Sequence, residues 1–216
     1  MRKQFAVIGL GRFGLSLLEE LVQMGHEVLA IDNDVDRVNS VAELATHAVQ
    51  ADAMDEYALK SLGIRNFDTV VVSIGENIQS SILTTIMLKE MGVNRVVAKA
   101  TNHLHGKVLE KIGASVIFPE RDMGKRLAHL LASQGILDQI NLSRDSSIME
   151  LLAPKRFTGK TLVELDVRRK YKITILAIKR GEDIIVAPRA EQTIDESDTL
   201  VAIGRNTDLE KVTELE

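Results

Sequence analysis

Hydrophobic residues fall along the chain in short runs separated by longer stretches of helical period. Apolar runs occupy 5–8, 28–31, 47–51, 69–74, 95–98 and 115–118. Between them stand stretches such as Leu15-Ser16-Leu17-Leu18-Glu19-Glu20-Leu21-Val22 and Ser81-Ile82-Leu83-Thr84-Thr85-Ile86-Met87-Leu88, which read as helices. Six strand-like runs alternating with helices predict an α/β domain with a parallel, doubly wound sheet. Gly25, Gly63, Gly92 and Gly113 each stand between a helix and the next strand, where a left-handed helix cap is expected.

After Asp122 the pattern changes. Residues 123–134 predict one amphipathic helix ending at Gly135. Residues 136–144 are expected to be a linker, the stretch from Asn141 to Ser147 being polar. Short alternating strands follow at 148–152, 173–178, 183–187 and 199–203, and Arg180-Gly181-Glu182-Asp183 turns two of them into a hairpin. The chain is therefore expected to hold a doubly wound domain over 1–135 and a small α+β domain over 145–216.

Composition narrows the function. Forty-five per cent of the 216 residues are hydrophobic, enough for a real core. Only 3% are aromatic, with no Trp, and the formal net charge is −4, which together argue against a nucleic-acid partner. Absence of Cys excludes disulfides, thiolate metal sites and cysteine nucleophiles. No apolar run approaches the ~20 residues of a membrane span. Met1-Arg2-Lys3-Gln4 leads into a short strand without a signal-peptide core. A cytoplasmic protein is expected, with no direct membrane insertion and any membrane role exercised through a partner.

The chemistry concentrates at the first strand. Ile8-Gly9-Leu10-Gly11-Arg12-Phe13-Gly14 follows an apolar run and opens a helix, and Asp32 ends the second strand 18 residues after Gly14. In that setting G-x-G-x-x-G is the fingerprint of an adenine-nucleotide site on a Rossmann sheet. Gly9 permits the turn, Gly11 lets phosphate oxygens approach the backbone, and Gly14 lets the helix pack on the strand. Helix N–H groups then face the phosphates. A carboxylate at position 32 suits ribose hydroxyls and disfavours a 2′-phosphate, so NAD or an adenosine phosphate is expected over NADP.

Other candidates carry an ordinary alternative. Asp52 borders the adenine in this fold, or it caps the helix that begins near Asp55. Gly75 leaves room for ligand at the end of the fourth strand, and Asn77 reads equally as a helix cap. Arg12 inside the glycine loop is a phosphate reader in its own or a neighbouring subunit, or a surface arginine. Glu120 and Asp122 offer hard oxygens to a divalent cation, or they complement a helix N-terminus. His103 and His105 read as loop or helix-start residues. No Walker loop is present, and no Ser/His/Asp constellation stands out.

Taken together, several segments are specific to one family. Ile8–Gly14, His47-Ala48-Val49, Leu62-Gly63-Ile64-Arg65-Asn66-Phe67-Asp68, Ile74-Gly75-Glu76-Asn77-Ile78-Gln79, Lys111-Ile112-Gly113-Ala114 and Pro119-Glu120-Arg121-Asp122-Met123-Gly124-Lys125 resemble the RCK (or KTN) family, the gating subunits of Ktr-type bacterial potassium transporters. Gly159–Asp166 and Val201-Ala202-Ile203-Gly204 resemble that family's C-terminal ligand-binding domain. The resemblance implies ATP or ADP at the Rossmann site, with ATP favouring transport. Gly9, Gly11 and Gly14 would face the phosphates and Asp32 the ribose. Arg12 would reach the γ-phosphate in a neighbouring subunit, and Glu120 would help hold Mg²⁺ or another divalent cation. Phe13, Asn33, Asp52, Ala53, Ile74, Gly75 and Lys99 complete the expected site. It further implies dimers assembling into an octameric ring beneath a membrane potassium-translocating subunit, at the inner face of the cell membrane. The C-terminal domain would bind cyclic di-AMP, which inhibits transport, through Arg168, Ile173, Ile175, Ile185 and Pro188. Two positions depart from the family pattern: Ala51 and Lys172 stand where glycine is common.

Two other readings share the fingerprint. An NAD-dependent oxidoreductase would also use Asp32 and the glycines, but the second domain offers no evident acid–base constellation. An NAD(H)-sensing repressor would need a basic recognition helix, and none is recognisable.

Overall fold

The computed structural model describes residues 1–132 and 135–215, which fall into two compact units, 1–122 and 123–216. Eleven strands and nine α-helices are found among the described residues.

The first unit has the expected doubly wound sheet. Its strands are β1 (Gln4–Ile8), β2 (Glu27–Asp32), β3 (His47–Gln50), β4 (Thr69–Val72), β5 (Val96–Lys99) and β6 (Ser115–Ile117), all parallel, in the order β3-β2-β1-β4-β5-β6. Successive side chains point to opposite faces, which the sequence exploits. Ala6, Ile8, Leu29, Ile31, Val70 and Val72 enter one core. Val7, Val28 and Ala30 enter the other. Both faces are covered because the crossovers between parallel strands lay helices on them. Helix α1 (Arg12–Gln23) covers one face through Leu18. On the other, α3 (Glu56–Ser61), α4 (Ile78–Glu90) and α5 (His103–Ile112) supply Leu59, Leu88 and Leu109. Helix α2 (Val35–Ser40), absent from the periodicity, is set by Asp34, whose carboxylate accepts the Asp36 and Arg37 N–H groups. The four glycines expected as caps have φ between 64° and 90°. The chain order reverses between β1 and β4, and there the crevice opens at the strands' carboxyl ends.

The second unit contains α6 (Pro119–Ala132), which begins just before it, and an antiparallel sheet ordered β10-β9-β11-β8-β7. The last two residues of the helix expected over 123–134 lie outside the described residues. The segment expected as a linker is largely strand: β7 (Ile136–Asn141) pairs with β8 (Ser146–Leu152). Its alternation is muted because it sits at the sheet edge, burying Ile136 while Leu137 and Ile140 face solvent. Only 142–145 remain as the turn. Strands β9 (Thr174–Arg180) and β10 (Asp183–Val186) form the expected hairpin, and β11 (Thr199–Arg205) lies between β9 and β8. Helices α7 (Leu162–Leu165), α8 (Val167–Lys170) and α9 (Asn206–Thr213) complete the unit. Its core joins Met149, Leu151, Phe157, Ile178, Leu200 and Leu209. Asp198, fully buried, accepts two guanidinium hydrogen bonds from Arg180, at 2.8 and 2.7 Å, and the Asp195 N–H at 2.8 Å.

Candidate functional site

A crevice of about 1120 Å³ lies where β1, β2 and β4 end, walled by the glycine loop. Gly9 leaves β1 with φ +95° and donates its N–H to the Ile31 carbonyl at 2.8 Å, which turns the chain sharply above β2. Gly11 is the N-cap of α1, and a Cβ there would meet nothing within 4 Å, so the loop's outer side is open. The first intrahelical bond is Leu15 N–H to the Gly11 carbonyl. The three N–H groups before it, on Arg12, Phe13 and Gly14, have no helical acceptor and suit an anion.

Gly14 serves a different end from Gly9 and Gly11. It lies behind the crevice-lining residues, and what it adds beyond its N–H group is packing. A Cβ at position 14 would run into the Gly9 carbonyl oxygen and the Ser73 hydroxyl. That hydroxyl donates to the same Gly9 carbonyl, so Ser73, Gly9 and Gly14 lock loop, strand end and helix together. Ser73 is a site residue the sequence reading missed. A single serine after an apolar run carries no signal until the fold places it under the loop.

Asp32 ends β2 and is 5% exposed. One carboxylate oxygen accepts the Leu10 N–H at 2.6 Å and lies 3.7 Å from the Arg37 guanidinium, and the other accepts the Asp34 N–H at 2.9 Å. Asp32 therefore ties the glycine loop to β2, and as a crevice-lining carboxylate it retains lone pairs for a ribose hydroxyl. Asn33, Asp52 and Ala53 also line the crevice. Of the two readings of Asp52, the helix cap falls to Asp55, which accepts the Tyr57 and Ala58 N–H groups, while Asp52 accepts the Met54 N–H at 2.9 Å. Asn77 does cap α4, through Ser80 N–H at 3.0 Å, and lines the crevice too.

Ile74 and Gly75 form the opposite rim. A Cβ on Gly75 would stand 3.6 Å from Lys99 Nζ, an ordinary contact, so that ammonium does not itself require glycine there. Lys99 lies 5.8 Å from the centre of the Phe13 ring and bonds Glu120 Oε1 at 2.5 Å. Its side chain is 13% exposed, against 69% for Glu120. The Lys99 hydrogen bond, followed by a backbone one, holds the Glu120 carboxyl below its usual range, and Arg12 adds a weaker attraction. Arg12, Lys99 and Glu120 thus converge at one end of the crevice. Among the described residues no group of three or more His, Asp or Glu stands ready for a metal ion. Glu120 alone fits only a cation that takes its remaining ligands from phosphate and water.

The histidines begin α5, as expected, but His105 is 2% exposed with Nε2 unpartnered, and burial lowers its pKa.

The residues expected to form a second ligand site do not form one exposed surface. Arg168 is exposed on α8, and Ile185 and Pro188 are half-buried. Ile173 and Ile175, 1% and 8% exposed in the single chain, belong to the core of the second unit. Ile173 is held by the absence of a side chain on Gly204, where a Cβ would stand 2.9 Å from its Cγ2. Lys172 adopts φ +59°, a left-handed conformation that glycine takes more easily.

Residues 5–120 match the TrkA-N domain and residues 147–216 the TrkA-C domain. The chain is 53% identical over 212 residues to Ktr system potassium uptake protein C of Bacillus subtilis (strain 168), covering 98% of this chain and 96% of that one. It is 52% identical over 210 residues to Ktr system potassium uptake protein A of the same organism, covering 97% and 95%. Among solved structures, the GsuK channel bound to NAD superposes with a TM-score of 0.68 at 18% identity. That match covers 99% of this chain and 40% of that one, and it shows a shared fold. No helix among the described residues is long and apolar enough to cross a membrane. With its glycine loop at the mouth of a doubly wound sheet and a TrkA-C domain following in the sequence, the chain belongs to the RCK family, as a regulatory protein of Ktr-type potassium uptake and not an enzyme.

Proposed function

We propose that this chain is the cytoplasmic, nucleotide-sensing subunit that gates a membrane potassium-translocating subunit, activated by ATP and inhibited by cyclic di-AMP. The observation that carries the reading is the division of labour in the crevice. The glycine loop and Asp32 are built for any adenine nucleotide, whereas Arg12 and Lys99 stand apart at one end with Glu120.

In this reading Asp32 accepts a ribose hydroxyl and the N–H groups at the start of α1 hold the shared phosphates. Lys99 exchanges Glu120 for a phosphate oxygen, which frees the Glu120 carboxylate to ligate a divalent cation. Arg12 reaches the γ-phosphate bound in a neighbouring subunit. A ligand shifts a two-state ring only by binding one state better, and a contact that only ATP offers supplies that difference.

Assembly into dimers and then an octameric ring is supported by the exposed stripe Met123, Leu127 and Leu131 on α6, 59%, 51% and 79% exposed. These residues recur every fourth position, the spacing of a helix seam awaiting a partner. A second copy fits that stripe because homo-oligomers pair identical patches. Cyclic di-AMP, itself two-fold symmetric, would enter between two second units, with Arg168 and Pro188 the accessible members of the expected set.

A thermal-shift panel of ATP, ADP, NAD, NADH and cyclic di-AMP tests the reading on the full chain. ATP, ADP and cyclic di-AMP should each raise the unfolding temperature. Stabilisation by NAD or NADH in place of the adenosine phosphates would favour the NAD(H)-sensing alternative.

A further inference from the structure

Away from the glycine loop, the second unit carries a cleft of about 470 Å³ lined by Arg156, Lys160, Glu164, Leu165, Lys170 and Tyr171. Three cations converge there in a chain whose formal charge is −4. None of the three forms an ion pair among the described residues, although Lys160 Nζ lies 3.0 Å from the Arg156 carbonyl oxygen. The neighbouring cation Arg169, by contrast, is paired with Asp166 at 2.6 Å.

Glu164, the single acid of the cleft, is already engaged. Its Oε2 accepts both the Thr161 N–H and the Thr161 hydroxyl at 2.8 Å, the capping box that starts α7. Those bonds hold its carboxyl below the usual range. Lys160 also attracts that carboxylate, and one acid against three cations leaves the cleft with a net positive charge. The walls are fixed: Phe157 and Leu165 are buried, and the Tyr171 ring lies 5.2 Å from that of Phe157.

We propose that this cleft binds a small molecule carrying a phosphate group, with Arg156, Lys160 and Lys170 on the phosphate and Tyr171 and Leu165 against its less polar part. Charge-assisted bonds from several cations to one phosphate are the strong kind, and a half-buried ring beside them gives the ligand a direction. The site is separate from the residues expected to hold cyclic di-AMP, and it stands or falls independently of the reading of the first unit.

The chain has two tyrosines and no tryptophan, so Tyr57→Phe leaves Tyr171 as the one tyrosine fluorophore. Tyr57 is 83% exposed and its replacement should not disturb the fold. Inorganic pyrophosphate is titrated into the full-length Tyr57→Phe chain, with ADP present in excess to occupy the glycine loop. The expected result is a saturable change in Tyr171 fluorescence that sodium chloride at equal ionic strength does not reproduce. Adding Lys160→Gln and Lys170→Gln, both on exposed side chains, should weaken the midpoint roughly tenfold or more. Thermal unfolding checks that this variant is folded, and Lys160→Arg alone should keep the response. No saturation below about 10 mM, or an equal midpoint in the doubly substituted protein, overturns the proposal.

Discussion

The two units solve the same backbone problem differently. In the first, every described residue with a left-handed backbone is a glycine: Gly9, Gly25, Gly63, Gly92 and Gly113. The second uses glycine at 135, 159 and 181 but also places Asp166, Lys172 and Ala187 there, at φ 47°, 59° and 49°. An L side chain in that region costs roughly 1–2 kcal/mol. The first unit is thus relaxed around its crevice, while the second carries local strain offset by packing and by the half-buried Arg180–Asp198 pair. The first should therefore be damaged by adding atoms, and the second by removing a partner.

The largest effect is expected at Gly14. Gly14→Val drives a side chain into the Gly9 carbonyl and the Ser73 hydroxyl, and should destabilise the first unit by about 3 kcal/mol while abolishing nucleotide binding. Chemical denaturation and calorimetry read the two losses. An intact affinity for ADP would show that the three-way lock is dispensable.

Next comes Asp198→Asn, which leaves Arg180 facing a neutral group. A loss of about 2 kcal/mol is expected, below that of a fully enclosed pair because Arg180 is 36% exposed and partly screened. The Arg180 hydrogen bonds hold the Asp198 carboxyl below its usual range. Its contribution is therefore complete above about pH 4 and lost as pH falls through the lowered folded value. Denaturation curves across that window should flatten in the Asn variant. Unchanged acid sensitivity would place the pH dependence elsewhere.

Arg12→Ala should separate ATP from ADP. If Arg12 reads only the γ-phosphate, ATP affinity falls roughly tenfold, about 1.4 kcal/mol, while ADP is nearly unaffected. Equal losses in calorimetry would assign Arg12 to the shared phosphates.

Smallest, and opposite in sign, is Lys172→Gly. Relief of the left-handed side chain, offset by the greater freedom of glycine when unfolded, should stabilise the second unit by about 0.5–1 kcal/mol. A decrease in the denaturation midpoint would mean that the lysine side chain makes a compensating contact.

The contrast also explains what could be read from sequence. Gly9, Gly11 and Asp32 were legible because a phosphate loop restricts residue type at fixed spacing, and the cap glycines because a left-handed turn does the same. Ser73 was not, since its role depends on a strand 64 residues from Gly9 in the chain. Strand β7 was hidden because an edge strand with Asp138, Gln139 and Asn141 lacks clean alternation. Ile173 and Ile175 show the limit of periodicity, which marks an apolar face without saying whether protein or ligand covers it. In the single chain both are buried in the core of the second unit.

The lock among Ser73, Gly9 and Gly14, with Asp32 gripping the Leu10 N–H, has a consequence for how a signal arises. If a nucleotide binds there as proposed, these bonds hold the loop in place beforehand and leave the ligand less to order. A loop held in that way would be a poor reporter of which nucleotide has arrived. On the proposed reading, discrimination would fall to the side chains at the far end, with Lys99 exchanging Glu120 for a phosphate oxygen. The messenger would then be an exchange of partners by one ammonium group, at Glu120 in the first turn of α6.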